Sequence, residues 1–156
     1  MDALIDALLD WIGAQTDYDI AQLPRPAVIE LSPEELTLEY YSGAPQLLPA
    51  DGVDDRLNAL FNFVDGAHGT IYLLEADEID GADYFDDPTE NPLFREILLH
   101  ELVHFVQWQT GAAETWDCPS YGEREAYLLG GAYLRASRTT DPMPNRMFWA
   151  HAYARC

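Results

Sequence analysis

The chain has 156 residues, of which 48% are hydrophobic, so it is long and apolar enough for one domain with its own core. Its 28 acidic residues against eight basic ones, all arginine, give a net charge of -20, which disfavours nucleic acid and anionic membranes as partners. No apolar run approaches the ~20 residues that span a bilayer, and residues 1–6 lack the features of a signal peptide, so the cytoplasm is slightly favoured.

The N-terminal part, residues 1–41, carries a predicted helix, a strand and a second, short helix. Apolar residues recur at helical spacing between residues 2 and 12, which predicts an amphipathic helix. Residues 25–31 have the composition of a short strand. Ser32 then stands as an N-cap with Pro33 at the first helical position and Glu35 at the third, which predicts a helix start. Residues 42–55, rich in Gly, Pro and Asp, are a predicted loop.

Residues 57–75 predict a β-hairpin that includes an edge strand. Two apolar runs, residues 59–64 and 70–74, lie on either side of an Asp-Gly turn. The first run also fits a helix beginning at Asp54, because its apolar residues recur at helical spacing as well. Both interpretations of the first run stay open, and the strand at 70–74 is the better supported of the two.

Two helices and a tail are predicted in the C-terminal half. Residues 92–110 predict a long helix that begins at a proline and ends before Gly111, and residues 121–137 predict a second helix. The tail, residues 138–156, contains a short aromatic segment. Cys118 and Cys156 lack the spacing of a zinc knuckle, and the sequence leaves open whether they form a disulfide. Together the elements predict one α+β domain over residues 1–156.

The long helix carries the motif His100-Glu101-Leu102-Val103-His104. The two histidines lie about 40° apart on a helical wheel and one turn from each other, so both imidazoles can bind one ion. Glu101 lies on the adjoining flank, about 60° from His104. The opposite arc is apolar except for Arg95. The helix therefore buries its back and turns a candidate metal site, with Glu101 as a candidate base, toward a cleft.

A zinc ion that keeps one position for water needs a third protein ligand. The candidates are Glu114, Glu123 and Glu125. Glu114 falls in the predicted connection between the helices, and the other two lie about 200° apart on the second helix, so only one of them can face the metal. Glu123 is favoured because Ala126 and Gly130 continue its face with small residues, which allows the helices to approach. Glu125 remains the alternative.

The motif followed by Glu123 resembles the gluzincin branch of the zinc metallopeptidases, whose third ligand is a glutamate on a helix about this far downstream. The fuller pattern over residues 69–135 is similar to short, uncharacterised zinc peptidases built as a minimal gluzincin core. Thr110 stands where a metzincin would have its third histidine, which excludes that branch. Tyr127 stands where the family has an aspartate that orients a zinc histidine, so another group would have to take that role.

The resemblance implies a zincin-like fold, with a small mixed sheet, an active-site helix and a glutamate-bearing helix, and with the strand at 70–74 as the edge that pairs with substrate. It implies one Zn²⁺ held by His100, His104 and Glu123, with Glu101 as the base that hydrolyses a peptide or protein substrate. The alternative is a zinc-binding protein of this fold that acts as an interaction module without peptidase activity. The oxyanion donor stays open among several candidates. These candidates are Tyr121, Tyr127, Tyr133, His151 and Tyr153.

Overall fold

The computed structural model describes residues 1–156, which form five α-helices and a three-stranded sheet. The elements in chain order are α1 (Asp2–Gln15), β1 (Ala27–Leu31), α2 (Pro33–Tyr40), β2 (Ala59–Asn62), β3 (Thr70–Leu74), α3 (Pro92–Gln109), α4 (Tyr121–Ala136) and α5 (Arg146–Tyr153). The α+β class is therefore confirmed. None of these helices combines the length and the apolar character needed to cross a bilayer.

Local sequence signals set the ends of the helices. At the start of α2, the Ser32 hydroxyl accepts a hydrogen bond from the backbone of Glu35, and the Glu35 carboxylate accepts one from the backbone of Ser32. Helix α3 begins after Asn91, whose side chain accepts a hydrogen bond from the backbone of Leu93. It ends before Gly111, which adopts a φ of +75°. The predicted helices of the C-terminal half are confirmed, and the aromatic segment of the tail forms α5.

The strand order in the sheet is β1-β3-β2, with β1 parallel and β2 antiparallel to β3. The predicted hairpin is confirmed, and its first run is a strand rather than a helix beginning at Asp54. The prediction that the strand at 70–74 forms an edge is wrong. This strand is β3, and it lies in the centre because β1 pairs with the side that the hairpin leaves free. A substrate strand therefore has no place beside β3.

Strand β2 forms the free edge of the sheet on the hairpin side. The backbone N–H of Leu74 donates to the carbonyl of Asn58 across a distance of 2.8 Å. Hydrogen-bonded and non-hydrogen-bonded pairs alternate along an antiparallel ladder, so Leu60 turns its backbone groups toward β3. The backbone groups of Ala59 and Phe61 consequently point away from the sheet and toward the free edge.

Helix α3 is the centre of the hydrophobic core. Its predicted apolar back is buried against α1 and the sheet, and most of the residues involved have no exposed surface. The α3 residues in this core are Phe94, Leu98, Leu99, Leu102, Val103, Phe105 and Val106. Because the back of α3 is packed along its length, the orientation of its remaining polar face is set by the core.

The polar face of α3 packs against α4 along a stripe of small residues formed by Gly122, Ala126 and Gly130. All three are buried. A methyl group at Gly122 would overlap the side-chain amide of Gln107, and one at Gly130 would overlap the carboxylate of Glu96. A glycine inside a helix costs roughly 0.5–1 kcal/mol relative to alanine. Here the glycines allow two polar side chains of α3 to lie directly against the backbone of α4.

Arg146, the first residue of α5, fixes this helix to the rest of the domain. Its guanidinium donates to the carboxylate of Glu96 at 2.7 Å and makes two bonds to Asp141 at 2.7 and 2.8 Å. The hydrogen bond from Arg146 lowers the pKa of the Asp141 carboxyl. Only 9% of Arg146 is exposed, so the two carboxylates neutralise a charge that would otherwise be buried alone.

A disulfide joins Cys118, in the connection between α3 and α4, to Cys156 at the end of the chain. The Cα atoms are 6.0 Å apart, and the two cysteines are separated by 38 positions in the sequence. The covalent loop that they close contains all of α4 and α5. The cross-link therefore limits the freedom of both helices in the unfolded chain.

Replacement of both cysteines by serine is expected to lower the free energy of unfolding by about 2–5 kcal/mol, because the unfolded chain regains the entropy of the closed loop. Urea unfolding monitored by tryptophan fluorescence measures the change. The structure holds no free cysteine, so reductant should destabilise the wild type to the same extent and leave the double serine variant unaffected. An unchanged unfolding midpoint in both tests would contradict this role.

Candidate metal centre

His100 and His104 lie one turn apart on the polar face of α3, and Glu123 reaches them from the first turn of α4. The Nε2 atoms of the two histidines are 3.2 Å apart. The Glu123 carboxylate places Oε2 at 3.2 Å from Nε2 of His100 and Oε1 at 3.5 Å from Nε2 of His104. The two imidazoles and the Glu123 carboxylate thus form one cluster that could hold a metal ion, with one ligand atom of each within 4.8 Å of the others.

These separations fit a small tetrahedral cation. Ligand atoms about 2.0–2.1 Å from a tetrahedral zinc ion lie about 3.3–3.4 Å from one another. The Nε2 atoms of His100 and His104 are 3.2 Å apart, and they lie 3.2 and 3.5 Å from the two different oxygens of the Glu123 carboxylate. Two imidazoles and one carboxylate are donors typical of zinc, whereas calcium and magnesium prefer oxygen ligands throughout. The residues present therefore fit a zinc ion with one position left open.

The other glutamates considered as third ligands lie elsewhere. Glu125 points away from the histidines, as the 200° offset on the helix requires, and accepts hydrogen bonds from Tyr18 and Gln107. Glu114 lies exposed in the short turn between α3 and α4. Of the three candidates, only Glu123 joins the two histidines in one cluster of possible ligands.

The carboxylates around the histidines favour a positive charge at this point. Burial alone would lower the pKa of His104, but the hydrogen bond to Glu123 and the charges of Glu101 and Glu123 outweigh it and raise the pKa to about 8. Burial raises the pKa of Glu123, and its hydrogen bonds to His100 and His104 lower it by more, so it lies well below its usual range. A divalent cation would supply the positive charge that a proton on the histidines supplies here.

Glu101 lies beside the cluster, with 9% of its surface exposed. Burial raises the pKa of its carboxyl, although the charges of His100 and His104 and a hydrogen bond from the backbone of Phe61 act in the opposite direction. The bond from Phe61 comes from the free edge of β2, which therefore runs next to this carboxylate. A buried carboxylate with a raised pKa, held beside a candidate metal site, has the properties of a general base.

An open cavity of about 790 Å³ reaches the cluster at His100. His100, Glu101 and Tyr127 lie in its wall, together with Ala59 of β2 and Tyr153 of α5. It is therefore bounded by the sheet edge on one side and by aromatic rings on the other. A cavity of this volume is in the range of ligand-binding clefts.

Among the five candidate oxyanion donors, the structure brings Tyr127 and Tyr153 to this cavity. The ring of Tyr127 meets that of His100 edge to face at 4.7 Å, and Tyr153 stacks on Tyr127 at 5.4 Å. The other three candidates lie elsewhere. Tyr133 packs against Trp11, Tyr121 is 43% exposed away from the cavity, and Nδ1 of His151 faces the carbonyl of Met147 on the exposed side of α5.

Two polar residues of the site were not predicted from the sequence. Gln107 lies within hydrogen-bond distance of His104, and Glu96 is held by Arg146 beneath the cavity. Both were detectable in part, because each stands on the ligand face of α3 at helical spacing from a histidine. Their partners on α4 and α5 were not detectable, since these depend on how three helices pack.

Comparison of the chain with protein-family models, with curated proteins and with solved structures finds no match. The chemistry of the site is therefore inferred from its donors, its distances and its electrostatic environment.

Purified protein is expected to bind one equivalent of zinc, and His100→Ala or Glu123→Gln to lose at least tenfold in affinity, because each removes one of three ligands. Competition with a chromophoric chelator gives the affinity, and elemental analysis gives the stoichiometry. Glu114→Gln is the matched control, because it removes an exposed carboxylate that lies outside the cluster. A wild type without stoichiometric zinc would end the metal hypothesis.

Proposed function

We propose that this protein is a zinc-dependent metallopeptidase, in which His100, His104 and Glu123 hold one zinc ion and Glu101 is the general base. The observation that carries the proposal is the cluster of two imidazoles and one carboxylate, with one ligand atom of each within 4.8 Å of the others, beside the buried carboxylate of Glu101 in the wall of an open cavity. A peptide or protein is the substrate class, and nucleic acid is disfavoured because the net charge is -20.

His100, His104 and Glu123 would hold a zinc ion, which would supply Lewis acidity for the scissile carbonyl and for the attacking water. Glu101 takes the proton of the attacking water and passes it to the leaving amine. Its raised pKa suits both steps, because a carboxylate that is too acidic would bind the proton too weakly. Burial beside the cavity also keeps Glu101 away from competing bulk water.

Tyr127 is the donor that we assign to the developing oxyanion. Burial and the charge of Glu123 raise the pKa of its hydroxyl well above the usual range, so the phenol remains protonated and able to donate. Its ring is held between His100 and Tyr153, which limits the positions that the hydroxyl can take. This role would account for the tyrosine at position 127, where the gluzincin pattern has an aspartate.

The free edge of β2 is the surface that we propose to align the substrate. Ala59 presents unpaired backbone groups to the cavity, and an extended peptide can pair with such an edge by main-chain hydrogen bonds. The backbone of Phe61, on the same edge, lies close enough to Glu101 to lower the pKa of its carboxyl, so the base lies beside this strand. The substrate strand is therefore assigned to β2 and not to the central β3.

The disulfide bears on where the reaction takes place. Disulfides persist in oxidising compartments and are rare in the cytosol. The bond between Cys118 and Cys156 therefore favours an oxidising compartment over the cytoplasm, which the sequence slightly favoured.

Glu101→Gln is expected to keep one equivalent of zinc and to lower peptide cleavage by about 10²–10⁴-fold, because the amide cannot accept the proton of the water. Cleavage of a random peptide library, read by mass spectrometry, measures the loss. Glu90→Gln, an exposed position just before α3, is the control. Unchanged cleavage in Glu101→Gln would exclude this base. A zinc-loaded wild type that cleaves nothing would instead support the non-catalytic binding protein.

Tyr127→Phe is expected to lower kcat by about 10²–10³-fold with little change in KM, because the hydroxyl contributes when the oxyanion forms. Steady-state kinetics on a peptide identified from the library separate the two constants. Tyr133→Phe serves as the control, since this ring packs against Trp11 away from the cavity. The assignment fails if Tyr127→Phe retains full kcat.

A further inference from the structure

Gln107 is a buried polar residue that the proposed reaction does not use. It lies on α3, three positions after His104, and only 1% of it is exposed. Its Oε1 lies 3.0 Å from Nδ1 of His104, which is the ring nitrogen on the side away from the candidate metal. Its Nε2 donates to the Glu125 carboxylate at 2.9 Å and to the carbonyl of Gly122 at 3.2 Å. Every hydrogen-bonding end of this side chain therefore has a partner.

The partners on α4 determine which way the amide of Gln107 faces. The carboxylate of Glu125 and the carbonyl of Gly122 accept hydrogen bonds and donate none, so the end of the amide that meets them must be its NH₂ group. The oxygen of the amide consequently faces His104. On neutral His104 two acceptors compete for one proton, the amide oxygen of Gln107 at 3.0 Å from Nδ1 and the Glu123 oxygen at 3.5 Å from Nε2. The shorter contact favours the imidazole that carries its proton on Nδ1 and has its lone pair on Nε2.

A third residue holds this arrangement from behind. The hydroxyl of Tyr18, in the segment between α1 and β1, donates to Oε2 of Glu125 at 2.7 Å. Burial and the charge of Glu125 raise the pKa of Tyr18 well above its usual range, so the hydroxyl keeps the proton that it donates. The chain of hydrogen bonds thus runs from Tyr18 through Glu125 and Gln107 to His104.

The same turn of α4 serves both sides of His104. Glu123 approaches Nε2 of His104 from the front, at 3.5 Å from its Oε1. Gly122 and Glu125 accept from the amide that meets Nδ1 at the back. The missing side chain at Gly122 makes room for the amide, because a methyl group there would overlap its oxygen. One turn of α4 therefore provides the third candidate ligand and also holds the amide that orients the imidazole of His104.

We propose that Gln107 is a positioning residue that fixes the Nδ1-protonated tautomer of His104, and that Glu125 and Tyr18 hold the Gln107 amide in the required orientation. This tautomer leaves the lone pair of Nε2 directed at the point shared with His100 and Glu123. The consequence for metal binding rests on the proposed function, whereas the tautomer is a property of the metal-free protein.

The tautomer is tested by long-range ¹H–¹⁵N NMR of histidine-labelled, metal-free protein at about pH 9.5, above the pKa of about 8 of His104. His104 in the wild type is expected to show the Nδ1-protonated pattern. A wild-type His104 protonated on Nε2 would overturn the proposal without any variant. Gln107→Met, which removes the oxygen acceptor at similar volume, is expected to give a mixture of the two tautomers.

Zinc affinity provides the second measurement, with zinc ions as the probe and a competing chelator. Gln107→Met is expected to weaken zinc binding by about 10–100-fold. Gln109→Met is the matched control, because Gln109 lies on the same helix and donates to the carbonyl of His68 away from the site. If Gln107→Met binds zinc as tightly as the wild type, the inference is wrong.

An exchange of the two polar groups separates positioning from packing. In the double variant Gln107→Glu/Glu125→Gln, an oxygen still faces Nδ1 of His104 and an amide still bonds residue 107 to residue 125, while the carbonyl of Gly122 loses its donor. This variant is expected to recover the Nδ1-protonated tautomer and part of the zinc affinity that Gln107→Met loses, and failure to recover the tautomer would contradict the proposal. A wild type that shows the expected tautomer but binds no zinc would end the proposed function and leave the assignment of Gln107 intact.

Discussion

The close approach of α3 and α4 is the constraint on which the candidate site depends. Gly122 and Gly130 leave no side chain between the helices, so Gln107 and Glu96 lie directly against the backbone of α4. At this separation the short side chain of Glu123 reaches both histidines of α3. The glycines weaken α4 as an isolated helix, and packing against α3 offsets that cost. The glycines thus lower the intrinsic stability of α4 and allow the polar groups of the two helices to contact each other.

Two buried glutamates on α3 show how the surroundings separate a structural carboxylate from a reactive one. Glu96 is hydrogen-bonded to Arg146, which also binds Asp141, so its charge is neutralised and helps to fix α5. Glu101 forms no ion pair with an arginine, and burial raises the pKa of its carboxyl. A carboxylate without such a partner is costly to bury. Its presence beside the cavity is understandable if a metal ion supplies the missing positive charge.

Periodic patterns predicted the helices and strands well. They failed for the order of the strands, which depends on pairing between distant segments. The caps of α2 and α3, the buried back of α3 and the hairpin all follow from signals within a few residues. The position of β3 in the sheet does not, because β1 is separated from it by about 40 residues and either strand could have formed an edge. The edge that faces the cavity is β2 for this reason.

The sequence by itself determined which side chains share a face, because the helical period places His100 beside His104 and separates Glu123 from Glu125. Only the tertiary structure decided which groups meet across elements. It brings Glu123 to the histidines and Gln107 to Glu125, stacks Tyr153 on Tyr127, and joins Cys118 to Cys156. These contacts depend on distances of a few ångströms between segments remote in the chain, and such distances follow from packing rather than from any local pattern.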